Sequence, residues 1–419
     1  SFCHKNLMNI DRALSTFQRF GVNLGLTRIQ KLLTHLGNPD RAVPIIHVAG
    51  TNGKGSVCAY LSSVLTTAGY RVGRYTSPHL VDWTERICLN ESKMPRSEFL
   101  TILETVKQTI ADNLSEEETP TLFEVVTAIA WLYFAQQKVD IAVMEVGLGG
   151  RLDATNIKEQ VLASVITPIS REHWQVLGDT LTKIATEKAG ILKPNCPALI
   201  APQDPEAVTV IQQRGDSLNC PLTWEKPATL IAEKEAVYNG LTYSLPLQGT
   251  VQLTNSAVAV ATLQHLQQQG WNISDAAIQD GIKLTSWLGR LQWVKWRDRD
   301  LLLDGAHNPA AAQALRQYVD TLPQPVTWIM GILATKEQEK ILKTLLRPED
   351  TLYTVPVPDH KTTPPEELCR MQQGICDCYP CSSLEVALEK AFSLHSQPPT
   401  TILCGSLYLV GYFLGNKEH

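Results

Sequence analysis

Short apolar runs alternate with helical periods along residues 44–149 and predict an α/β domain with a mostly parallel sheet. Runs of consecutive apolar residues indicate strands, and apolar residues three and four positions apart indicate helices. The pattern predicts strands over residues 44–50, 140–145 and 161–167 and helices over residues 54–68, 123–136 and 181–189. Such alternation is typical of parallel strands covered by helices.

A second, smaller domain follows the first. Residues 196–249 are rich in proline and strand-like, and two helices after them complete the first domain. Beyond residue 250 the pattern predicts helices over about residues 254–269, 275–284, 309–322, 337–346 and 384–394 and strands over residues 301–304, 326–332, 351–357 and 401–405. Because the alternation restarts after Gly289, we predict domains of residues 1–288 and 289–419, the latter Rossmann-like.

Composition limits the classes of function. Hydrophobic residues make up 44% and charged residues 19% of the 419 residues, as in ordinary folded proteins. The net charge of −5 provides no general attraction for a polyanion, so we expect no nucleic-acid partner. No apolar stretch approaches the ~18 residues of a membrane span, and the first residues lack the pattern of a signal peptide. We therefore expect neither membrane association nor export.

Ten cysteines, several of them inside apolar runs, indicate buried thiols in a reducing compartment rather than a disulfide framework. The expected location is therefore the cytoplasm. Cys369, Cys376, Cys378 and Cys381 are close in sequence, but their spacing does not form the two paired knuckles of a zinc site. We expect a loop with incidental thiols there.

The strongest chemical signal is HVAGTNGKGSV at residues 47–57, where a predicted strand runs through a glycine-rich turn directly into a helix. Glycines let successive N–H groups point at one anion, and the helix N-terminus adds partial positive charge. Lys54 would contact phosphate oxygens, and Ser56 a magnesium ion. The motif departs from GxxxxGK[ST], because Val48 replaces the first glycine and Gly55 moves the serine one place later. It still predicts a nucleotide-phosphate site.

Other candidate residues follow predicted strands, where open α/β sheets bind ligands. Glu145 ends an apolar strand and is a candidate magnesium ligand, with a solvent-facing glutamate as the alternative. His173 follows a third strand, with a structural histidine as the alternative. The pattern around Lys188 indicates a solvated cation near a helix end. In DGAHNP, Asp304 and His307 are candidates, and two such sheet edges favour a reaction in a cleft.

Nine motifs lie between residues 24 and 411, in the order LGLTRI, HVAGTNGKGS, YTSPHLVDWTERI, LFEVVTAIA, EVGLGGRLDATN, EHWQVLGDTLTKIATEKAGI, GRLQWV, DGAHNP and CGSLYLVG. Together they resemble the folylpolyglutamate synthase and dihydrofolate synthase family of the Mur ligase superfamily. The resemblance implies a P-loop first domain of the Mur ligase central-domain type. It also implies an ATP-dependent ligase, in which a pteroate or folate carboxylate is phosphorylated and the amino group of L-glutamate displaces the phosphate.

The same resemblance implies roles for individual residues. The implied ATP contacts are Gly53, Lys54, Gly55, Ser56, Asn255, Arg290, Asp304 and His307. The implied magnesium ligands are Ser56, Ser77, Glu145 and His173. The implied lining of the pterin pocket is Leu24, Gly25, Leu26, Thr27, Phe123, Glu124, Leu152, Asp153 and Ala154. Phe123 would stack on the pterin ring and Asp153 would hydrogen-bond its amino group. Lys188 matches a carbamylated lysine, so Lys54, His173 and Lys188 form the expected catalytic set.

The segment GGRLDATN at residues 149–156 is similar to that of members that make dihydrofolate from dihydropteroate. We therefore expect this activity together with folylpolyglutamate synthesis. The expected partners are small molecules, namely dihydropteroate, folates, L-glutamate and ATP with Mg²⁺, and the expected chain is a monomer. Another Mur-type amino-acid ligase and a P-loop switch ATPase that hydrolyses nucleotide without ligation are the alternatives. Glu172 stands where the family usually has an aspartate.

Overall fold

The computed structural model describes residues 10–334, 336–393 and 400–416, and the chain divides into two units. The first unit runs to Pro246 and includes Leu253–Thr285, and the second comprises Leu247–Gln252 and the chain from Ser286 onward. The boundary predicted near Gly289 falls close to this division. The functions assigned to the two domains stay predictions.

The main sheet of the first unit is mostly parallel, as predicted. Within the described residues its strands are β1 (Ile45–Ala49), β2 (Val72–Tyr75), β3 (Ile87–Leu89), β4 (Ser92–Lys93), β5 (Ile141–Glu145), β6 (Ala163–Ile166), β7 (Ala198–Ile200) and β8 (Leu222–Trp224). Their order is β4-β3-β2-β5-β1-β6-β7-β8. Neighbours from β2 to β8 are parallel, whereas β3 and β4 are antiparallel at one edge. The mostly parallel sheet is therefore confirmed.

Helices cover this sheet. They are α1 (Thr27–His35), α2 (Lys54–Thr67), α3 (Arg96–Asn113), α4 (Leu122–Gln136), α5 (Trp174–Leu177), α6 (Leu181–Ala189), α7 (Pro205–Ser217), α8 (Val251–Gln268) and α9 (Asp275–Lys283). Most of α4 is buried, because its residues are apolar on all sides. Within the described residues, no helix is both long and apolar enough to cross a membrane.

The proline-rich segment of the first unit differs from its strand-like prediction. Residues 205–217 form helix α7, because Pro205 suits the first turn of a helix and Ala207, Ile211 and Gly215 are buried four residues apart. A separate antiparallel sheet follows it, with strands β9 (Thr229–Ala232), β10 (Glu235–Tyr238) and β11 (Leu241–Ser244). Proline at a helix start and proline between strands look alike in sequence, and the pattern did not separate them.

The second unit is a smaller α/β fold, as predicted. Its described strands are β12 (Gln292–Trp296), β13 (Arg299–Leu303), β14 (Val326–Met330), β15 (Thr351–Thr354), β16 (Asp377–Pro380) and β17 (Thr400–Cys404), in the order β12-β13-β17-β14-β15-β16. Only the β12–β13 pair among these is antiparallel. Its described helices are α10 (Pro309–Val319), α11 (Gln338–Leu345), α12 (Pro365–Met371), α13 (Leu384–Ser393) and α14 (Leu407–Gly415). Leu394, the predicted end of α13, lies outside the described residues.

Two cysteines of the second unit depart from the expectation of incidental thiols. Cys369 on α12 and Cys378 on β16 form a disulfide, since the two elements pack together and bring the Cα atoms to 5.6 Å, within bridging distance. Cys376 and Cys381 are separate buried thiols. The thiol prediction is therefore wrong for one pair, because sequence spacing does not show which elements become neighbours.

Asp350 provides a test of the second unit's packing. Its buried carboxylate accepts hydrogen bonds from the backbone N–H groups of Val326 and Arg347 at 3.0 and 2.9 Å. It also accepts one from the indole N–H of Trp328 at 2.9 Å. We expect Asp350→Ala to lower the free energy of unfolding by about 3 kcal/mol or more, because three donors lose their acceptor. Urea unfolding of the full chain, followed by tryptophan fluorescence, measures this loss.

The matched control is Asp300→Ala. Asp300 pairs with Lys295 on the surface, where both side chains are 66% exposed. Exposed pairs contribute about 1 kcal/mol or less, so this variant should unfold close to the unsubstituted protein. Equal losses in the two variants would contradict the assigned role of Asp350.

Candidate active site

The glycine-rich motif forms a loop between β1 and α2, as its sequence predicts. Gly50 and Gly53 have φ angles of +139° and +90°, which favour glycine. The backbone N–H of Thr51 donates to the carbonyl of Pro168 at 3.1 Å, and its hydroxyl donates to the carbonyl of Ser170 at 3.1 Å. These bonds anchor the loop to the segment that follows β6, next to the N-terminus of α2.

The sheet order brings three predicted magnesium ligands to one edge. Strand β5 lies between β2 and β1, and Glu145 at its end is in register with Val48. Ser77 follows the end of β2, and Ser56 lies in the first turn of α2. Because these parallel strands point the same way, their carboxyl ends meet at the same edge. Glu145 and Ser56 are each 5% exposed, so both side chains are enclosed by the loops there.

Lys188 is buried, which contradicts its interpretation as a solvated cation. Its side chain is 1% exposed, and the amine donates to the carbonyl of Gly50 at 2.8 Å. Burial, together with the positive charge of Lys54, lowers the pKa of Lys188 to about 7, while the carboxylates of Glu172 and Asp153 oppose the shift. The amine is therefore substantially neutral near neutral pH. The residue pattern predicted that Lys188 is exposed, whereas in the structure α6 turns this position inward.

Glu172 links Lys188 to the predicted catalytic histidine. Its Oε1 lies 3.5 Å from Nε2 of His173, and its Oε2 lies 3.9 Å from Nζ of Lys188. The side chain of His173 is 40% exposed, and its backbone has a φ angle of +47°. His173 thus lies after β6 at the predicted sheet edge. A carboxylate between an imidazole and an amine can hold either group in place.

Asp153, a predicted pterin contact, accepts four hydrogen bonds from its own turn. Its Oδ1 accepts from the N–H groups of Gly147 and Leu148 at 3.1 and 3.0 Å. Its Oδ2 accepts from the N–H and hydroxyl of Thr155 at 3.0 and 2.5 Å. Burial raises the pKa of Asp153, and these hydrogen bonds oppose that shift. The carboxylate therefore organises the glycine-rich turn, and its predicted bond to a pterin amino group stays a prediction.

Phe123 lies beside the same turn, as a pterin-stacking residue would. Its ring stacks on Tyr75 with centroids 6.1 Å apart and planes 23° apart. A Cβ atom at Gly147 would lie 2.9 Å from Cε1 of Phe123, so glycine is required for this approach. Leu152 and Ala154 flank Asp153 in the turn, which places the three predicted pocket residues in one segment.

Glu124 has a structural role that sequence reasoning missed. It accepts the N–H of Thr121 at 2.9 Å in the capping box that begins α4. It also accepts the Nε–H of Arg28 at 2.9 Å, and Arg28 donates a second bond to the carbonyl of Asn23. The pair therefore ties α4 to the segment of Leu24, Gly25, Leu26 and Thr27. The three-residue spacing of Thr121 and Glu124 was an available sequence signal.

The remaining predicted nucleotide residues lie in two places. In the first unit, Asn255 is buried on α8 next to Gly53. In the second unit, Asp304 accepts the N–H groups of Leu291 and Ala306 at 3.0 and 2.8 Å. Burial raises the pKa of Asp304, and the charge of Arg290 opposes the shift. The ring Nδ1 of His307 contacts the carbonyl of Gly305 at 2.8 Å. Nucleotide contact by these residues stays a prediction.

The residues at the first unit's sheet edge fit a hard divalent cation. Magnesium prefers oxygen ligands and usually combines one or two carboxylates with phosphate and water. Glu145, Ser56 and Ser77 supply carboxylate and hydroxyl oxygens. Nowhere in residues 10–334, 336–393 and 400–416 do three His, Cys, Asp or Glu side chains form a metal cluster of their own.

Comparison with known proteins identifies the family. The Mur ligase middle domain family matches residues 48–263, and the family described as dihydrofolate synthetase, C-terminal domain, matches residues 290–416. The dihydrofolate synthase/folylpolyglutamate synthase of Bacillus subtilis (strain 168) is 35% identical over 347 residues, which are 78% of this chain and 80% of that protein. The chain belongs to the dihydrofolate synthase/folylpolyglutamate synthase family. The motif resemblance is thereby confirmed.

Solved structures of this family share the fold. Mycobacterium tuberculosis folylpolyglutamate synthase complexed with ADP has a TM-score of 0.90 at 28% identity, covering 99% of both chains. E. coli FolC in complex with DHPP and ADP has a TM-score of 0.87 at 30% identity, covering 97% of this chain and 96% of that chain. Folylpolyglutamate and dihydrofolate synthases are ATP-dependent ligases, and the bound ADP of both structures indicates ATP use. The predicted Mur ligase fold is confirmed.

Gly53 provides a test of the phosphate loop in this family member. A Cβ atom at Gly53 would lie 2.9 Å from Cγ of Asn255, and its φ of +90° is itself unfavourable for alanine. We expect Gly53→Ala to weaken ATP binding at least about tenfold, because either the loop or the buried side chain of Asn255 must shift. Calorimetric titration with ATP measures this change.

Gly37→Ala is the matched control. Gly37 has a nearly identical φ of +89°, but a Cβ atom there would meet nothing within 4 Å. This variant carries the same backbone strain without the collision, so its ATP affinity should stay within about twofold of the unsubstituted protein. Equal weakening in both variants would show that strain alone, and not the loop's position against Asn255, controls binding.

Proposed function

We propose that this chain joins L-glutamate to dihydropteroate to make dihydrofolate, and also adds glutamate to reduced folates, with ATP as the co-substrate. One observation carries the proposal: the phosphate loop follows β1, and Glu145 and the glycine-rich turn at Gly147 lie at the end of the neighbouring parallel strand β5, at the same sheet edge. An anion site beside an aromatic-lined turn suits a reaction between nucleotide phosphate and a pterin acid. Family membership supports the same conclusion. The monomeric state and cytoplasmic location stay predictions.

The phosphate loop would hold the group that is transferred. Lys54 opens α2, where its ammonium and the helix N-terminus both stabilise phosphate oxygens. Bound Mg²⁺ would neutralise charge that develops between the ATP phosphates and the acceptor carboxylate. Ser56, Ser77, Glu145 and His173 are the residues that would hold it. The hydrogen bonds of Thr51 hold this loop against the segment that follows β6.

The acceptor would react in two steps. Its carboxylate oxygen attacks the terminal phosphorus of ATP, forming an acyl phosphate and releasing ADP. The amino nitrogen of L-glutamate then attacks the acyl carbon, the new C–N bond forms, the C–O bond to phosphate breaks, and the amine loses a proton. Phe123, beside the Gly147 turn, is the residue that would orient the pterin ring.

Lys188 would act as a carbamate. Its neutral amine would attack CO₂, forming a C–N bond and releasing one proton, so that an uncharged side chain becomes an anion. The remaining N–H could keep the bond to the Gly50 carbonyl, which the free amine already makes at 2.8 Å. An anion at this position would balance the positive charge of Lys54 and of metal ions. Burial of the amine supports this assignment, because carbamylation requires the uncharged form.

Acceptor dependence tests the proposed function. We expect ATP turnover by the full chain to require both L-glutamate and a pteroate or folate acceptor, with dihydropteroate and tetrahydrofolate assayed in parallel. A switch ATPase would hydrolyse ATP without either. Lys54→Ala should abolish ligation while its thermal unfolding stays unchanged, because only the phosphate contact is lost. Use of tetrahydrofolate but never dihydropteroate would refute dihydrofolate synthesis, and normal turnover of Lys54→Ala would refute the phosphate-loop assignment.

Carbamylation of Lys188 is tested by labelling. After incubation with ¹³C-bicarbonate, we expect a carbamate carbon resonance that is absent from Lys188→Ala. Since the pKa of Lys188 is lowered to about 7, the neutral amine is the minor form below that pH and the major form above it. The signal should therefore rise from about pH 6 to about pH 8. Lys183→Ala, which removes an exposed lysine of the same helix, should keep the resonance. An identical signal from Lys188→Ala would rule the carbamate out.

A further inference from the structure

A buried chain of hydrogen bonds connects β1 to the glycine-rich turn. His47 lies on β1, is 1% exposed, and its Nε2 is 2.8 Å from the hydroxyl oxygen of Thr155. That hydroxyl is 2.5 Å from Oδ2 of Asp153. The other oxygen of Asp153 holds the N–H groups of Gly147 and Leu148. None of the roles assigned above to catalysis or ligand binding uses His47 or Thr155.

The hydrogen bonds of this chain have a defined order of donors and acceptors. Asp153 already accepts three backbone N–H groups, so its ionised carboxylate accepts the Thr155 proton as well. The hydroxyl oxygen must then accept from His47, which places the ring proton on Nε2. Burial lowers the pKa of His47 to about 3, so the ring is neutral. The chain therefore runs as donor to acceptor from His47 through Thr155 to Asp153.

The two ends of this chain lie at the two halves of the site. His47 belongs to the strand that leads into the phosphate loop at Gly50. At the other end, Gly147 follows Glu145 and is so close to Phe123 that a Cβ atom would collide with the ring. A rotation of the Asp153 carboxylate would release two successive N–H groups and move the turn against Phe123.

We propose that His47 and Thr155 are positioning residues for the acceptor: they orient Asp153, and Asp153 holds the Gly147–Leu148 backbone against Phe123. The identity of the acceptor rests on the proposed function. The hydrogen-bond chain from His47 through Thr155 to Asp153, which we call the relay, does not. Thr155 supplies the turn with a donor that a valine of the same shape would lack. Because interiors are closely packed, losing that donor changes the orientation of the carboxylate more than the volume of the site.

Steady-state kinetics of Thr155 variants tests the relay. We expect Thr155→Val to raise the KM for dihydropteroate about tenfold, about 1.4 kcal/mol, while the KM for ATP stays within about twofold. Thr155→Ser keeps the hydroxyl and should restore the acceptor KM. The control is Thr262→Val, which removes a buried hydroxyl that donates to the carbonyl of Val258 on α8 and should change neither constant. Equal shifts of both constants in Thr155→Val, or no rescue by serine, would overturn the proposal.

Variants of His47 test the same hydrogen-bond chain from its other end. They also provide the test if Thr155→Val does not fold. His47→Gln retains a donor and should keep the acceptor KM, whereas His47→Leu should raise it about tenfold. If the residues act as one unit, the double variant of His47→Leu and Thr155→Val should be no worse than either single variant. Additive losses would overturn the relay.

Hydrogen exchange tests the relay independently of the proposed function. The N–H groups of Gly147 and Leu148 should exchange faster in Thr155→Val than in Thr262→Val, whatever the substrate is. Unchanged exchange would overturn the relay even in an active ligase. If the unsubstituted chain ligates neither acceptor but exchange still responds, the proposed function fails and the relay stands.

Discussion

The candidate site of the first unit depends on four neighbouring parallel strands, β2, β5, β1 and β6. All four strands end at one edge of the sheet. The strand order reverses at β1: the chain continues on one side with β2 and returns later to β6 on the other. A crevice outside such a reversal is the usual ligand site of open α/β sheets. The phosphate loop, Glu145 and the segment of Glu172 occupy this edge because each follows one of these strands.

Buried carboxylates hold the backbone around that edge. Asp153 accepts three backbone N–H groups in the glycine-rich turn, and Glu124 accepts one at the start of α4. Asp304 does the same for the DGAHNP segment of the second unit. A buried N–H group without an acceptor costs about 1–3 kcal/mol, so these carboxylates determine loop shape. Acidic residues that motif comparison assigns to ligands therefore also order the backbone of their own segments.

The charge near the phosphate loop depends on the burial of one amine, that of Lys188. Lys54 and Lys188 influence each other electrostatically, and two ammonium groups together would be unfavourable away from water. The structure resolves this conflict by enclosing Lys188 against the Gly50 carbonyl and near Glu172. The lowered pKa of Lys188 thus reduces the positive charge that is enclosed beside Lys54.

Local pattern determined much of this protein from the sequence alone. The Gly50–Gly53 turn and the bounds of α6 follow from neighbouring residues, since φ preferences and helical periods act over a few positions. The apolar run of residues 140–145 predicted the position of Glu145 at a strand end, and motif resemblance predicted the family. Only the tertiary structure decided that Lys188 is buried against Gly50, 138 residues away, and that His47 contacts Thr155, 108 residues away. Those outcomes depend on which strand ends lie side by side, and that pairing brings together side chains that no local pattern relates.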